Sequence, residues 1–335
     1  MKGVIIGCGL IARSHANAMA NNRAADLVAV CDVNFAKAQA LAAEYQTEPF
    51  ADAEVMLDTI KPDFAVLCVP TFLHEKYVRL CTSKDINVLC EKPLERNLSK
   101  AQSLVDAVKQ STIIFMTAQV VRFWPGYIEI KELYDQGEFG EIFMIHLRRV
   151  SSRDESYSKW LFDPDLGGGA MHDMLVHDID FLRYLCGEFN YCFANAAKDD
   201  TGCYNNVFAN VVHQNGIHAV AEVSFNMQKG YPFSFSVKIV GTKATLEYDY
   251  AAGATIADRS STRCQMKMWR NGQPVQTFSF DPNIDPYQTQ MDYYLNCLET
   301  GQQPVIITPE ESLDVIRMID AIHDSADKTA ILRID

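Results

Sequence analysis

Residues 4–12 read Val-Ile-Ile-Gly-Cys-Gly-Leu-Ile-Ala. A short apolar run leads into a G-x-G-x-x-G/A turn, in which Ala12 takes the third small position. Gly7 permits the tight turn, and Gly9 lets a pyrophosphate approach the backbone. The pattern therefore predicts a dinucleotide site at the N-terminus of the following helix, with Gly7, Gly9, Leu10 and Ile11 as contacts. Taken alone, the motif also fits a glycine-rich turn with no ligand.

The next acidic strand end supports the dinucleotide. Asp32 closes the second apolar run, twenty residues after Ala12. A carboxylate there hydrogen-bonds the adenosine ribose hydroxyls and repels the extra phosphate of NADP. No Arg or Lys follows until Lys37. The sequence thus favours NAD as the cofactor, with NADP less favoured.

Around this motif, the first 118 residues alternate between short, continuous apolar runs and segments with the apolar spacing of a helix. Continuous apolar runs predict buried strands at 4–6, 27–31, 64–69, 87–90 and 113–117. Helical patterns lie between them at 11–20, 35–45, 73–83 and 99–108, with a short one at 52–59. Such alternation is typical of an α/β fold with a doubly wound parallel sheet. We therefore expect a Rossmann NAD-binding domain over residues 1–119.

The pattern changes after residue 119. Helical patterns lie near 126–136 and 170–185, and two more close the chain at 286–300 and 309–326. Residues 189–280 alternate between apolar and polar, with turn signals such as Asn215-Gly216 and Asn271-Gly272. This pattern predicts an α+β domain over 120–335, with a large, mostly antiparallel open sheet.

Composition restricts the class of protein. The chain has 335 residues and a formal net charge of −13, which disfavours nucleic acid as a partner. It has neither a secretory leader nor a run of about 20 apolar residues, so we expect a cytoplasmic protein without a membrane partner. Its ten cysteines include no C-x-x-C pair and lie mostly in apolar runs. They are expected to be buried free thiols, as in a reducing compartment.

Two strand ends carry candidate chemistry. The third strand ends in Pro70-Thr71-Phe72-Leu73-His74, and the fourth in Glu91-Lys92-Pro93. Both lie at the carboxyl edge of the predicted sheet, where doubly wound folds bind ligands. Lys92 can donate to a substrate hydroxyl and stabilise its alkoxide. An ordinary exposed charge is the alternative for a strand-end lysine.

A third candidate lies in the glycine-rich run 167–178. If this run is helical, Asp173 and His177 share a face at i and i+4, and a carboxylate can orient an imidazole for acid–base work. A structural histidine is one alternative. A metal site that uses His172 and Asp178 as well is another, but His172 and His177 would be turned about 140° apart on a helix. We therefore predict no metal.

Together, these segments resemble the Gfo/Idh/MocA oxidoreductases, which include glucose–fructose oxidoreductase and inositol 2-dehydrogenase. The Gly7–Ala12 turn matches the family fingerprint, and residues 91–93 match its E-K-P motif. Residues 122–125, Arg-Phe-Trp-Pro, look like the segment that opens the second domain. Residues 168–178 match the glycine-rich run that leads to D-x-x-x-H-D. The four motifs occur in the family's order and extend over most of the chain.

The resemblance implies roles for individual residues. Lys92 is expected to be the catalytic lysine that binds the reacting hydroxyl. His177 is expected to be the acid–base residue, with Asp173 as its partner and a substrate contact. The Lys–Pro bond is often cis in this family. Contacts with the cofactor are implied for Pro70, Thr71, His74, Glu91, Lys92 and Arg122, and contacts with substrate for Lys92, Arg122, Asp173 and His177. The second domain's sheet commonly forms dimers or tetramers, so a homo-oligomer is expected.

Aromatic side chains in the second half are candidates for stacking on a sugar ring. They are Tyr157 and Trp160, and two further residues, the aromatic Tyr287 and the polar Arg149, lie in regions that could also face the cleft. A core or interface position is an equal alternative for Trp160.

The predicted function is NAD-dependent oxidation or reduction of a secondary ring hydroxyl of a sugar, sugar derivative or cyclitol. Lys92 and the Asp173/His177 pair would handle the proton. One alternative is a glycoside-processing enzyme that oxidises its substrate only transiently and eliminates the aglycone. Another is a non-enzymatic NAD-binding regulator on the same fold.

Overall fold

A computed structural model describes residues 1–153, 158–252 and 262–334. The chain divides into two compact units. Unit 1 contains residues 1–123 and 283–316, and unit 2 contains residues 124–282 and 317–335. The predicted Rossmann domain therefore lies within unit 1. Unit 1 also includes a C-terminal segment that the division at residue 119 assigns to the second domain.

Unit 1 is built on a parallel sheet, six-stranded in the part of the chain that the structure describes, in the order β3-β2-β1-β4-β5-β6. The strands are β1 (Lys2–Ile6), β2 (Asp26–Cys31), β3 (Glu48–Phe50), β4 (Phe64–Leu67), β5 (Asn87–Glu91) and β6 (Phe115–Ala118). The helices that alternate with them are α1 (Ala12–Ala20), α2 (Phe35–Tyr45), α3 (Ala53–Ile60), α4 (His74–Thr82) and α5 (Leu98–Lys109). The predicted doubly wound α/β fold is confirmed.

Both faces of this sheet are buried, which explains why its strands read as continuous apolar runs. In β1, Val4 and Ile6 pack into the core on one face, whereas Ile5 packs into the core on the other. β5 follows the same alternation, with Val88 on the first face and Leu89 on the second. Because all the strands are parallel, the residues that follow them emerge at one edge of the sheet.

Unit 2 contains a nine-stranded sheet within its described residues, in the order β14-β13-β12-β11-β7-β10-β9-β8-β15. Its helices are α6 (Pro125–Asp135), α7 (Ala170–Asp173) and α8 (Leu175–Cys186). Its strands are β7 (Ile142–Ser152), β8 (Phe189–Lys198), β9 (Tyr204–His213), β10 (His218–Met227), β11 (Ser234–Gly241), β12 (Ala244–Ala251), β13 (Arg263–Arg270), β14 (Gln276–Phe278) and β15 (Leu332–Arg333). β7 and β10 pair in parallel, and the other pairs are antiparallel. The predicted α+β architecture with a mostly antiparallel sheet is confirmed.

One predicted helix differs. The sequence pattern predicts a single helix over 170–185, whereas the structure has two helices that meet at Met174. The His177 amide donates to the Met174 carbonyl over 3.1 Å, three residues back. Because this bond is one residue shorter than an α-helical one, the chain is tightened at the junction.

Two further helices follow unit 2's sheet in the sequence. α9 (Pro286–Thr300) packs in unit 1, where Met291 and Tyr294 belong to the same core as Ile5. α10 (Pro309–Lys328) is divided between the units after Ile316. It begins with a capping box, in which the Glu311 amide donates to the Thr308 hydroxyl and the Thr308 amide donates to the Glu311 carboxylate, each over 3.2 Å.

The core of unit 2 contains a buried ion pair. Arg149 of β7 donates to both carboxylate oxygens of Asp178 in α8, over 2.8 and 3.2 Å. It also donates to the Tyr127 hydroxyl over 3.1 Å. The Arg149 and Asp178 side chains are only 4% and 1% exposed. Burial raises the pKa of the Asp178 carboxyl, and Arg149 opposes that shift. Arg149, a candidate for the substrate cleft in the sequence, therefore anchors α8 to the sheet.

We expect Asp178→Asn to lower the free energy of unfolding by about 3–5 kcal/mol, because it leaves the Arg149 charge buried and uncompensated. Urea unfolding followed by fluorescence measures this loss. The matched control is Asp200→Asn, since Asp200 pairs with Arg153 but its side chain is 75% exposed. The control should lose less than about 1 kcal/mol. Equal losses in the two variants would contradict the anchoring role.

Candidate active site

The glycine turn follows β1 directly. The backbone φ angle at Gly7 is +96°, and a Cβ atom there would lie 2.5 Å from the Cys68 carbonyl oxygen. The Gly7 amide donates to the Cys31 carbonyl over 2.8 Å. Only glycine fits between these two neighbouring strand ends, because a side chain would collide with backbone.

Gly9 has a different reason to be glycine. A Cβ atom there would have no atom within 4 Å, and the backbone lies outside the positive-φ region. Protein packing therefore does not require a glycine at this position. Ile11, the residue before α1, has no side-chain cap for the helix amides. An open cradle at an uncapped helix N-terminus fits the pyrophosphate of a dinucleotide.

Asp32 lies beside this turn, immediately after β2. One carboxylate oxygen accepts the Cys8 amide and the other accepts the Asn34 amide, each over 2.8 Å. Two backbone donors thus fix the carboxylate where the sequence predicts the ribose contact. Burial, followed by Asp32 and Cys31, raises the pKa of the Cys8 thiol to about 12. The thiol therefore stays neutral beside the turn.

The segment after β4 contains Pro70, Thr71 and His74. Thr71 is buried and begins a 3-10 helix that ends at Leu73. The His74 ring is buried, with Nδ1 3.0 Å from the Pro93 carbonyl oxygen and Nε2 3.1 Å from that of Val69. Burial lowers the pKa of His74, and these carbonyls oppose the shift. Both ring nitrogens of this predicted cofactor contact therefore lie within hydrogen-bond distance of backbone carbonyl oxygens, and the neutral imidazole donates from one of them.

Lys92 lies in the E-K-P turn at the end of β5. The Lys92–Pro93 peptide bond is cis, as the family resemblance implies. Glu91 Oε1 lies 2.6 Å from Nε2 of His15, and Glu91 Oε2 accepts the Lys92 amide over 3.1 Å. His15 was not predicted as a functional residue. Its imidazole is fully buried in α1, and the Glu91 partner lies 76 residues away in sequence, so no local pattern indicates the contact.

Arg122 lies in a 3-10 helix that follows β6. Its side chain is fully buried within unit 1, where it donates to the Ile306 carbonyl and, over 3.1 Å, to Glu311. Both partners are more than 180 residues away in sequence, and Glu311 is also part of the capping box of α10. The structure thus gives Arg122 a packing role, and its predicted contact with cofactor and substrate stays a prediction.

In unit 2, the glycine-rich run leads into α7. The φ angle of Gly169 is +65°, and a Cβ atom there would lie 2.3 Å from the Asn205 side-chain oxygen. That oxygen accepts the Ala170 amide over 2.8 Å and so binds the start of α7. Asp173 ends α7, and His177 lies in the first turn of α8. Asn205, which sequence reasoning missed, fixes the start of this segment from β9.

Two residues of the metal alternative have other neighbours in the structure. The Asp178 carboxylate forms an ion pair with Arg149. His172 is buried, with its ring centroid 5.9 Å from that of His323 in α10. No group of three or more His, Cys, Asp or Glu side chains placed to hold a metal ion occurs among the residues that the structure describes.

The aromatic candidates have different outcomes. Trp160 is half-buried in a 3-10 helix over Lys159–Phe162. Tyr157 lies outside the described residues. Tyr287 packs edge-on against His15 in unit 1, with ring centroids 5.5 Å apart.

The ten cysteines are free thiols, and all except Cys264 are buried. Within the described ranges, no helix is long and apolar enough to span a bilayer.

Comparisons with known proteins identify the family of both halves of the chain. Residues 1–119 match a family model described as "Oxidoreductase family, NAD-binding Rossmann fold", named GFO_IDH_MocA. Residues 127–247 match the GFO/IDH/MocA C-terminal domain.

Several characterised proteins are similar over nearly their whole length. The chain is 24% identical to the inositol 2-dehydrogenase of Rhizobium meliloti, over 98% of this chain and 97% of that protein. It is 25% identical to D-xylose 1-dehydrogenase (NADP(+)) 2 of Haloferax volcanii, over 92% of each. The WlbA dehydrogenase of Bordetella pertussis, crystallised with NADH and UDP-GlcNAcA, has a TM-score of 0.84 at 23% identity, over 100% of this chain and 99% of that one. This last likeness supports the fold.

We expect Gly9→Ala to fold normally but to bind NADH at least about tenfold more weakly, because the added methyl group meets ligand and not protein. Thermal unfolding and NADH fluorescence titration measure the two effects. Gly7→Ala is the contrasting variant, since it should lose stability as well. Unchanged NADH affinity in Gly9→Ala would remove the glycine turn from the cofactor site.

Proposed function

The chain belongs to the Gfo/Idh/MocA family of oxidoreductases, and from that premise we propose that it is an NAD-dependent dehydrogenase. Its substrate is a sugar, sugar derivative or cyclitol, of which it oxidises a secondary ring hydroxyl or reduces the corresponding ketone. The proposal rests on one observation, that three candidate site segments lie at the same edge of unit 1's sheet. The Gly7 turn, Asp32 and Lys92 follow β1, β2 and β5, three parallel strands of that sheet. The cofactor cradle and the candidate catalytic amine thus belong to one rigid element.

The chemistry that NAD supplies when bound is acceptance of a hydride at the nicotinamide. In our proposal, Gly7, Gly9 and the N-terminus of α1 hold the pyrophosphate, and Asp32 holds the adenosine ribose. The Lys92 ammonium donates a hydrogen bond to the reacting hydroxyl and stabilises the oxygen as it loses its proton.

His177 accepts that proton in the oxidation and returns it in the reduction. Asp173 hydrogen-bonds the substrate and orients the acid–base group. Two features support this assignment. Asn205 holds the start of the helix that contains Asp173, and the Arg149–Asp178 pair holds the residue next to His177. Both groups are therefore on well-anchored backbone, as precise positioning demands.

Lys92→Met should lower kcat by about a thousandfold or more, because no other donor replaces the ammonium at the reacting oxygen. NADH affinity should stay within about threefold of wild type. A 340 nm screen of cyclitols, free hexoses, glycosides and nucleotide-sugars with NAD supplies the substrate for this measurement. Lys76→Met, at an exposed lysine on α4, is the control. Wild-type turnover in the Lys92 variant would refute the assignment. Release of an aglycone without NADH would replace net oxidation with transient oxidation and elimination.

Asp32 also supports NAD over NADP. Its carboxylate is fixed by two amides, so it cannot swing away from an added phosphate without losing both bonds. The next residue, Val33, is 84% exposed and has no positive charge. We expect Asp32→Ser to lower NADH affinity and raise NADPH affinity, which changes their ratio by at least about tenfold. Fluorescence titration with both dinucleotides measures it. A wild-type preference for NADPH would contradict this part of the proposal.

A further inference from the structure

The E-K-P turn is held from two sides by buried imidazoles. His74, at the start of α4, contacts the carbonyl oxygens of Pro93 and Leu94 over 3.0 and 3.2 Å. His15, in α1, contacts the Glu91 carboxylate over 2.6 Å. The two histidines come from different helices, yet together they contact three neighbours of Lys92, namely Glu91, Pro93 and Leu94. Their exposed fractions are 1% and 0%.

The His15 contact reaches the lysine through a single side chain. An ionised carboxylate only accepts hydrogen bonds, so His15 Nε2 donates to Glu91 Oε1. The other carboxylate oxygen, Oε2, accepts the backbone amide of Lys92. Glu91 therefore links the helix of the glycine turn to the backbone of Lys92. If the imidazole is removed, Glu91 keeps one bond and is free to rotate away from the lysine amide.

The surroundings of this pair keep its geometry fixed. Glu91 is 7% exposed, and Tyr287 of α9 packs edge-on against the His15 ring. A buried carboxylate without a partner is strongly destabilising, because its lost hydration is not compensated by a hydrogen bond. This cost strongly favours the bonded arrangement. An apolar pair of similar size would pack here at no such cost. A charged, directional link is therefore better explained by what it orients than by stability.

A third buried histidine shows the contrast. His213 of β9 has its Nδ1 2.9 Å from the Gly187 carbonyl, the residue that ends α8. That bond closes a helix end and involves none of the residues in the candidate site. His15 and His213 are equally buried, so burial alone does not mark His15 as special. The distinguishing feature is the carboxylate that joins His15 to the Lys92 backbone.

We propose that His15 is a positioning residue, which acts through Glu91 to fix the backbone at Lys92 and thereby the place of the Lys92 amine. The consequence for catalysis rests on the proposed function, but the positioning is a property of unit 1 alone. In this proposal α1 has two roles. Its N-terminus binds the pyrophosphate, and its His15 side chain positions Lys92.

The test uses variants that separate the hydrogen bond from the bulk of the ring. His15→Leu removes the donor, whereas His15→Gln keeps an N–H of similar reach. Glu91→Leu provides a second break, since it removes both carboxylate oxygens and leaves no acceptor for the Lys92 N–H. Tyr294→Phe is the matched control, because it removes a buried hydroxyl that bonds to the Ile114 carbonyl over 3.3 Å in the same core.

The readout is the ¹³C resonance of reductively methylated Lys92 in the NADH-bound protein, identified by its loss in Lys92→Arg. We expect this resonance to move by more than its linewidth in His15→Leu and Glu91→Leu. It should return towards the wild-type position in His15→Gln and stay in place in Tyr294→Phe. Where an alcohol substrate is found, kcat should fall at least about tenfold in His15→Leu, while KM for NAD changes less than about twofold.

The outcomes distinguish this inference from the proposed function. If Lys92 moves as expected but no alcohol is oxidised, the positioning role holds and the dehydrogenase proposal fails. An unmoved Lys92 resonance in His15→Leu and Glu91→Leu would overturn the positioning role, even in an active enzyme. Equal movement in Tyr294→Phe would also overturn it, because any loss of core stability would then suffice.

Discussion

The close approach of β1 and β4 at the carboxyl edge of the parallel sheet is the constraint on which the site depends. A Cβ atom on Gly7 would lie 2.5 Å from the Cys68 carbonyl oxygen, so the chain can leave β1 only through a glycine. That exit leads to α1, whose N-terminus forms the proposed dinucleotide cradle and whose buried face includes His15. Asp32 closes the cradle by accepting the Cys8 amide. One local steric requirement therefore sets the course of the chain through both the proposed cofactor site and the helix that contains His15.

Each unit anchors its candidate catalytic group by a buried, charge-assisted contact. In unit 1 it is the His15–Glu91 pair, and in unit 2 the Arg149–Asp178 pair. Buried pairs of this kind contribute little net stability, since desolvation offsets much of the Coulomb attraction. What they provide is geometry, because each is strongly destabilised if one partner moves. Placing them beside Lys92 and His177 is consistent with sites that need precise positioning.

Much of this structure follows from local sequence patterns. The glycine turn, Asp32 and the apolar strand runs each depend on residues within a few positions or on a known spacing, and they predict the Rossmann sheet. The missed features are long-range. Arg122 donates hydrogen bonds to Ile306 and Glu311, and the Ala170 amide donates to Asn205. The spacing of apolar residues within a helix or strand does not predict such distant pairs.

The unit boundaries and the helix break at Met174 could not be predicted from local sequence patterns either. The sequence offers no linker to indicate that α9 packs against the first unit, since its own pattern is an ordinary amphipathic one. The break at Met174 arises from one tightened hydrogen bond at His177 and leaves no trace in the apolar spacing. Tertiary packing decides both features. Fold and cofactor class can thus be inferred from sequence, whereas the supports of the catalytic groups need the structure.

The most direct measurement of the central claim is the fate of the carbon-bound hydrogen. Alcohols fully deuterated at carbon, drawn from hexoses and cyclitols, would be incubated with the protein and NAD, and the dinucleotide analysed by mass spectrometry. Our account predicts NADH that contains one deuterium, formed together with the ketone and absent in Lys92→Met. A ketone or aglycone that accumulates with no deuterium in the dinucleotide would contradict it.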